Sequence, residues 1–208
     1  SVDLDAHSNG SATTTSEVGD PEVFVSYNGL KLSVGAIDSA ADQGGLADIG
    51  FDGIGIDDVA EITSLGSHDV RVDYSFGDVS VAASIDSDGA NDDWGLGLST
   101  SFDAITVALG VAETGGADQV RLTVGYSAGA FGAKAYYNEN GAADAFGIEG
   151  SYTSGDVTVT AVFSDAGAAG DAYGIGVAYD LGGATLAGGF GQNAADNTVA
   201  DLGISFSF

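Results

Sequence analysis

Large apolar residues recur at every second position along most of this chain, with polar or small residues between them. A period of two puts successive side chains on opposite faces of an extended strand, so one face of each segment is apolar and the other is not. In Ile105-Thr106-Val107-Ala108-Leu109-Gly110-Val111 the large residues hold the odd positions. Val157, Val159, Ala161 and Phe163 share a face opposite Thr158 and Thr160. Leu202, Ile204, Phe206 and Phe208 alternate with Asp201, Gly203, Ser205 and Ser207. A helical period shows only as a single turn near Asp57–Leu65. The pattern predicts fourteen strands, at about 1–7, 22–27, 30–37, 68–76, 78–86, 92–101, 104–113, 117–127, 130–138, 145–153, 156–164, 171–180, 184–191 and 199–208. Many approach the ~9–11 residues with which a tilted strand crosses a bilayer.

The connections alternate in length. Tight turns at Asn28-Gly29, around Gly77, and at Phe102-Asp103, Ala128-Gly129, Ser154-Gly155 and Leu181–Gly183 are interleaved with longer links at 8–21, 38–67, 87–91, 139–144, 165–170 and 192–198. Thr114–Gly116 is the short exception. In an up-and-down sheet alternate connections share an end, which gives one end of tight turns and one of loops, the asymmetry of outer-membrane barrels. Outward positions near the tight turns hold Tyr27, Tyr74, Phe76, Phe102, Tyr126, Phe131, Tyr152, Tyr179, Phe206 and Phe208. Trp94, Tyr137, Phe146, Phe163, Tyr173 and Phe190 fall towards the loops. Two aromatic belts with aliphatic residues between them suit a lipid-facing wall, whereas a soluble sandwich buries its aromatics in one shared core. The predicted fold is all-β: a transmembrane antiparallel up-and-down β-barrel, with 1–208 as its single domain.

Charge sharpens this picture. The chain carries 31 acidic residues against 4 basic ones, yet 44% of its residues are hydrophobic. Acidity alone suggests disorder, but that apolar content requires charge and apolar surface to be segregated. A nucleic-acid partner is excluded, because a phosphate-binding face needs clustered Lys and Arg. There is no Cys for a disulfide or thiolate site, and His7 and His68 have no metal-ligand spacing. No nucleophile elbow, phosphate loop or acid–base pair stands out, so neither an enzyme nor a cofactor is expected. Asp86, Asp88, Asp92, Asp93, Asp165 and Asp171 cluster in outer links. Dense carboxylates bind Ca²⁺, but this spacing matches neither an EF-hand loop nor the Gly-Gly-x-Gly-x-Asp β-roll repeat, and solvated surface is the simpler reading.

If the large apolar residues face lipid, the alternate face lines a lumen, and all four cations fall there: Lys31, Arg71, Arg121 and Lys134. Each is costly against hydrocarbon and cheap where water reaches it. The link 38–67 is too long for a simple hairpin loop. It holds Asp38, Asp42, Asp48, Asp52, Asp57, Asp58 and Glu61, interleaved with Leu46, Ile49, Phe51, Ile54, Ile56, Val59 and Ile62. Folded inside the barrel, it would pack those apolar residues on the wall and turn Asp48, Asp52, Asp57, Asp58 and Glu61 to the channel. Lys31 and Arg71 flank it, so that acidic loop and basic wall would set up a transverse field.

Three stretches carry a resemblance: Val23-Phe24-Val25-Ser26-Tyr27-Asn28-Gly29-Leu30-Lys31-Leu32-Ser33-Val34-Gly35, Ala172-Tyr173-Gly174-Ile175-Gly176-Val177, and the close from Thr198 to Phe208. In them the chain resembles the general-diffusion porins of alphaproteobacterial, Gram-negative outer membranes. The resemblance implies a homotrimer of 16-stranded barrels, in contact with outer-membrane lipid and lipopolysaccharide. It also implies that the third loop folds inward as the pore constriction, and 38–67 would be that loop. Residues 30–37 then match the fifth strand and residues 1–7 the third, so fourteen strands are visible of an expected sixteen. The chain departs from the family where early strands usually carry basic wall residues, since Asp3, Asp5 and His7 stand there. The expected function is passive diffusion of ions and small hydrophilic solutes with cation preference. The alternative is a non-conducting barrel with a structural, adhesive or Ca²⁺-binding role.

Overall fold

Alternation of this kind makes strands because a pleated backbone sends neighbouring side chains to opposite faces. The computed structural model describes residues 2–5, 22–61, 65–87 and 92–206. The strands are β1 (Val2–Asp5), β2 (Glu22–Tyr27), β3 (Leu30–Asp38), β4 (Ser67–Phe76), β5 (Val79–Ile85), β6 (Trp94–Phe102) and β7 (Ile105–Thr114). They continue as β8 (Ala117–Ala128), β9 (Phe131–Glu139), β10 (Asp144–Ser154), β11 (Val157–Asp165), β12 (Asp171–Asp180), β13 (Ala184–Gln192) and β14 (Thr198–Phe206). They form one antiparallel up-and-down sheet in chain order, with β1 and β14 as its outer strands. Over β2–β14 the ends agree with the sequence expectation to within two residues. The link 8–21 and His7, Ile62, Asp88 and Phe208, named above, lie outside the described residues. The turn expected near Asp57–Leu65 is a single 3₁₀ turn at Asp57–Val59, closed by the Ala60 N–H on the Asp57 carbonyl at 2.9 Å.

The tight turns follow from residue type. Asn28 and Gly29 both take positive φ, 50° and 88°, as a two-residue type I′ turn requires, and such a turn matches the right-handed twist of its strands. Tyr27 and Leu30 pair across it.

The chain divides into two compact units, Ser1–Gln43 with Leu65–Thr100 and Leu109–Val120, and Gly44–Ser64 with Ser101–Ala108 and Arg121–Phe208. In the first, Val25 pairs with Leu32, Leu32 with Val72, and Val81 with Leu98, and these residues form an exposed apolar face. The other face buries Ser33 and Ser84. The β3–β4 register shifts between Val34 and Ile37, so that Gly35 and Ala36 lie opposite Asp69 alone. Such a bulge re-aims the side chains beyond it, and both Ile37 and His68 are buried.

In the second unit the same division holds. Phe131, Ile148, Tyr152, Ile175, Val177, Phe190, Leu202 and Ile204 are exposed on one face, while Tyr136, Val162 and Ala172 are buried on the other. A folded soluble protein rarely exposes an apolar surface of this extent. Among the described residues no helix is long and apolar enough to cross a membrane.

Candidate functional site

The buried face of the second unit is covered by residues 44–61, the middle of the long link. Leu46, Ile49, Ile54, Ile56 and Ala60 form one cluster with Tyr136, Val162 and Ala172 of the wall. Glycine makes the room. A Cβ at Gly147 would lie 2.2 Å from Leu46 Cδ1, one at Gly176 2.9 Å from Ile49 Cβ, and one at Gly203 2.3 Å from the Phe51 ring. At Gly189 it would lie 3.0 Å from Gly50 Cα, where the loop approaches the wall backbone to backbone. The strands thus keep small residues on the face that receives the loop. Each fully buried Leu or Ile contributes about 1.5–3 kcal/mol, which holds the loop down against the entropy of its chain.

Polar ties fix its path. Thr123 Oγ1 donates to the Gly44 carbonyl at 3.0 Å and Lys134 Nζ to the Gly45 carbonyl at 2.7 Å. Glu149, which faces Lys134 across β9–β10 and lies 3.5 Å from its Nζ, accepts the Ala47 N–H at 2.5 Å. One ion pair therefore grips both a carbonyl and an N–H of the loop. At the tip the Asp201 carboxylate accepts the N–H groups of Phe51 at 2.7 Å and Asp52 at 2.8 Å, and that of Gly189 in its own wall at 3.0 Å. Hydrogen bonds to an ionised acceptor are stronger than neutral ones.

The loop's acids divide in two groups. Asp48, Asp52 and Asp58 are exposed and Glu61 is half-buried. Asp57, expected with them, is instead buried at the start of the 3₁₀ turn. Burial pushes its carboxyl above the ordinary range, and the charges of Asp48 and Asp58 add to this. Asp48 is also raised, first by burial and then by Asp58, Asp201 and Asp52.

In the first unit the root of the link lies on glycine as well. A Cβ at Gly97 would meet the Ala40 carbonyl at 2.1 Å and one at Gly110 the Ala41 carbonyl at 2.0 Å. Ser84 Oγ accepts the Ala40 N–H at 2.7 Å and lies 2.7 Å from His68 Nδ1. Arg71 pairs with Asp73 at 2.8 Å and donates to the Asp38 and Ser39 carbonyls at 3.2 and 3.5 Å. Lys31 pairs with Glu22 at 3.2 Å and sits 4.5 Å from the Phe24 ring centre.

The four cations thus all lie on the face opposite the exposed apolar one, but they are engaged there. Arg121 is buried, Lys134 holds the loop, and Lys31 and Arg71 have carboxylate partners. Glu149, Asp201 and Thr123 had no assigned role in the sequence reading. Their alternation marks them as inward, but only tertiary contact gives them the loop as partner. Among the described residues no three His, Cys, Asp or Glu side chains gather as a metal site.

The family description "Gram-negative porin" matches residues 1–207. No curated protein matches the sequence. Among solved structures, a five-substitution variant of the Rhodopseudomonas blastica porin superposes with a TM-score of 0.79 at 26% identity, covering 96% of this chain and 81% of the other. A structure titled "Asymmetric conductivity of engineered proteins" gives the same values. A three-substitution variant of the Rhodopseudomonas blastica porin gives 0.77 at 24% identity with the same coverage.

Proposed function

The chain belongs to the Gram-negative porin family, and from that membership we propose that it closes into an outer-membrane barrel whose water-filled lumen passes ions and small hydrophilic solutes passively, cations before anions. The observation that carries this reading is the loop 44–61 seated on the glycine-lined face opposite the lipid-facing one. A segment held there narrows the lumen without filling it. We further take the barrel to be one of sixteen strands, assembled as a homotrimer among lipid and lipopolysaccharide, with no reaction catalysed.

Cation preference rests on an imbalance of exposed charge. Lys31, Arg71 and Lys134 each have a carboxylate within 3.5 Å, which largely cancels their fields at a distance. Asp48, Asp52 and Asp58 remain exposed on the loop. In a narrow, low-dielectric passage a net negative lining concentrates cations. Lys31, Arg71, Arg121 and Lys134 are then wall cations that position loop and carboxylates, and Asp48, Asp52, Asp58 and Glu61 form the acidic face of the constriction, with Asp57 buried beneath it.

Single-channel recording in a planar bilayer under a salt gradient tests both parts. Stepwise ohmic openings with a cation-selective reversal potential are expected. An anion-selective potential would overturn the preference. Silence from a folded barrel would overturn the channel in favour of the structural or adhesive reading. Deleting 46–60 is expected to raise conductance, and an unchanged value would take the loop out of the channel.

A further inference from the structure

The lipid-facing side of the second unit is not evenly studded. On β13 the outward positions run Leu186, Gly188, Phe190, so the middle one has no side chain. Two apolar grooves of about 540 and 410 Å³ lie beside it and share Ile175 and Phe190. The strand register orders them into one trough: Tyr173, Gln192 and Thr198 align at one end, then Ile175 with Phe190, then Val177 with Gly188 and Leu202, then Tyr179 with Leu186. The seven residues of β12 from Tyr173 to Tyr179 span roughly 20 Å, in six steps of about 3.4 Å.

We propose that this trough binds the hydrocarbon chain of one membrane lipid, with Gly188 as its floor and Tyr173, Gln192 and Thr198 as the polar end that receives the lipid's ester region. The proposal rests on the reading of this face as lipid-facing. Its lining is hydrocarbon along its length. Asp201, which borders it, has its carboxylate turned to the loop and occupied by three N–H groups. The three side chains of the polar end are themselves neutral: the Tyr173 hydroxyl bonds Gln192 Oε1, whose amide in turn donates to the Asp196 carboxylate at 3.1 Å. An end of that kind, over an apolar trough, matches an ester carbonyl above an acyl chain, as amphipathic rings do at headgroup depth. A second protein copy fits less well. A stable interface needs about 800 Å² from each partner, more than a trough about 20 Å long and two strand spacings wide between Phe190 and Leu202 supplies. A flexible chain lies down between them.

The test is native mass spectrometry of the whole chain after reconstitution into phosphatidylethanolamine–phosphatidylglycerol vesicles and re-extraction in mild detergent. Wild type is expected to keep one lipid mass per chain. Gly188→Leu fills the trough, meeting first the Leu202 Cδ1 methyl at 2.9 Å, and is expected to lose that mass while conductance stays unchanged. Gly150→Leu, on the outward face of β10 with open space around it, is expected to keep it. Equal retention by Gly188→Leu and wild type would overturn the proposal. So would a change of oligomeric mass in place of lipid loss, which would give the trough to a second copy. Should Gly188→Leu not fold, Tyr173→Phe with Thr198→Val removes the polar end alone. Reduced retention by that pair supports the site and full retention overturns it. Loss of conductance with lipid retained would count against the channel and leave the groove standing.

Discussion

Asp201 shows how much one inward carboxylate does. Its two oxygens collect N–H groups from Phe51, Asp52 and Gly189, joining loop tip to wall where Gly50 and Gly189 bring the backbones together. Asp201→Ala is expected to free the tip: limited proteolysis cuts near 50–53 in the variant and not in wild type, and open-channel noise rises. An unchanged cleavage pattern would show that the apolar packing suffices. Asp57 works in the opposite direction. Its carboxyl and that of Asp48 are raised above their ordinary 3.8 in the folded loop. A raised acid favours the folded state when protonated, so its stabilising effect is full below 3.8 and is lost as pH rises through the raised value. Loop protection is therefore expected to increase as pH falls from neutral towards the ordinary carboxylate range, while cation selectivity declines over the same interval. Asp57→Asn is expected to flatten the protection profile; a profile as steep as that of wild type would place the titrating group elsewhere.

At the scale of elements, strands and loop are complementary. β12 alternates Tyr173, Ile175, Val177 and Tyr179 outward with Ala172, Gly174, Gly176 and Ala178 inward, one face shaped for lipid and the other for the loop. A branched side chain at Gly176 has nowhere to go, because Ile49 already lies 2.9 Å from where its Cβ would be. Overpacking of this kind costs about 1–3 kcal/mol, and the strand ladder is the stiffer partner. Gly176→Val is thus expected to leave heat-modifiable mobility on gels intact and to displace the loop, read as altered conductance and new protease sites. Gly150→Ala, where an added Cβ meets nothing within 4 Å, is the matched control.

At the scale of the whole molecule, the described strands of each unit keep charge and exposed apolar surface on separate faces, which reconciles a formal charge of −27 with 44% hydrophobic residues. Such a chain is expected to need detergent or lipid to stay dispersed, and on the proposed reading its acidity acts on the lumen. Screening then gives a direct check. The Debye length falls from about 10 Å at 0.1 M salt to about 3 Å at 1 M, so the cation-selective reversal potential is expected to shrink over that range at a fixed gradient ratio. A salt-independent potential would point to a steric or contact origin of selectivity.

Strand identity, the two faces and the alternation of turns and loops were legible in the residues, because a period of two and turn chemistry such as Asn28-Gly29 are local and survive without tertiary context. The long link was legible as a segment, since Leu46, Ile49, Ile54 and Ile56 needed a surface to bury them. Which surface was decided only by the fold. The glycines at 147, 174, 176, 189 and 203 read locally as weak strand formers, and only with Leu46, Ile49, Gly50 and Phe51 above them do they become a seat. The same holds for charge. Residue type placed Lys134, Glu149 and Asp201 on the inner face, but partnership across 89, 102 and 150 residues of sequence is not a local property. Burial of Asp57 among exposed neighbours was likewise set by where the turn meets the wall. Sequence determined the faces because side-chain direction is local, and tertiary structure decided the partners because contact between distant residues depends on how the whole chain is placed.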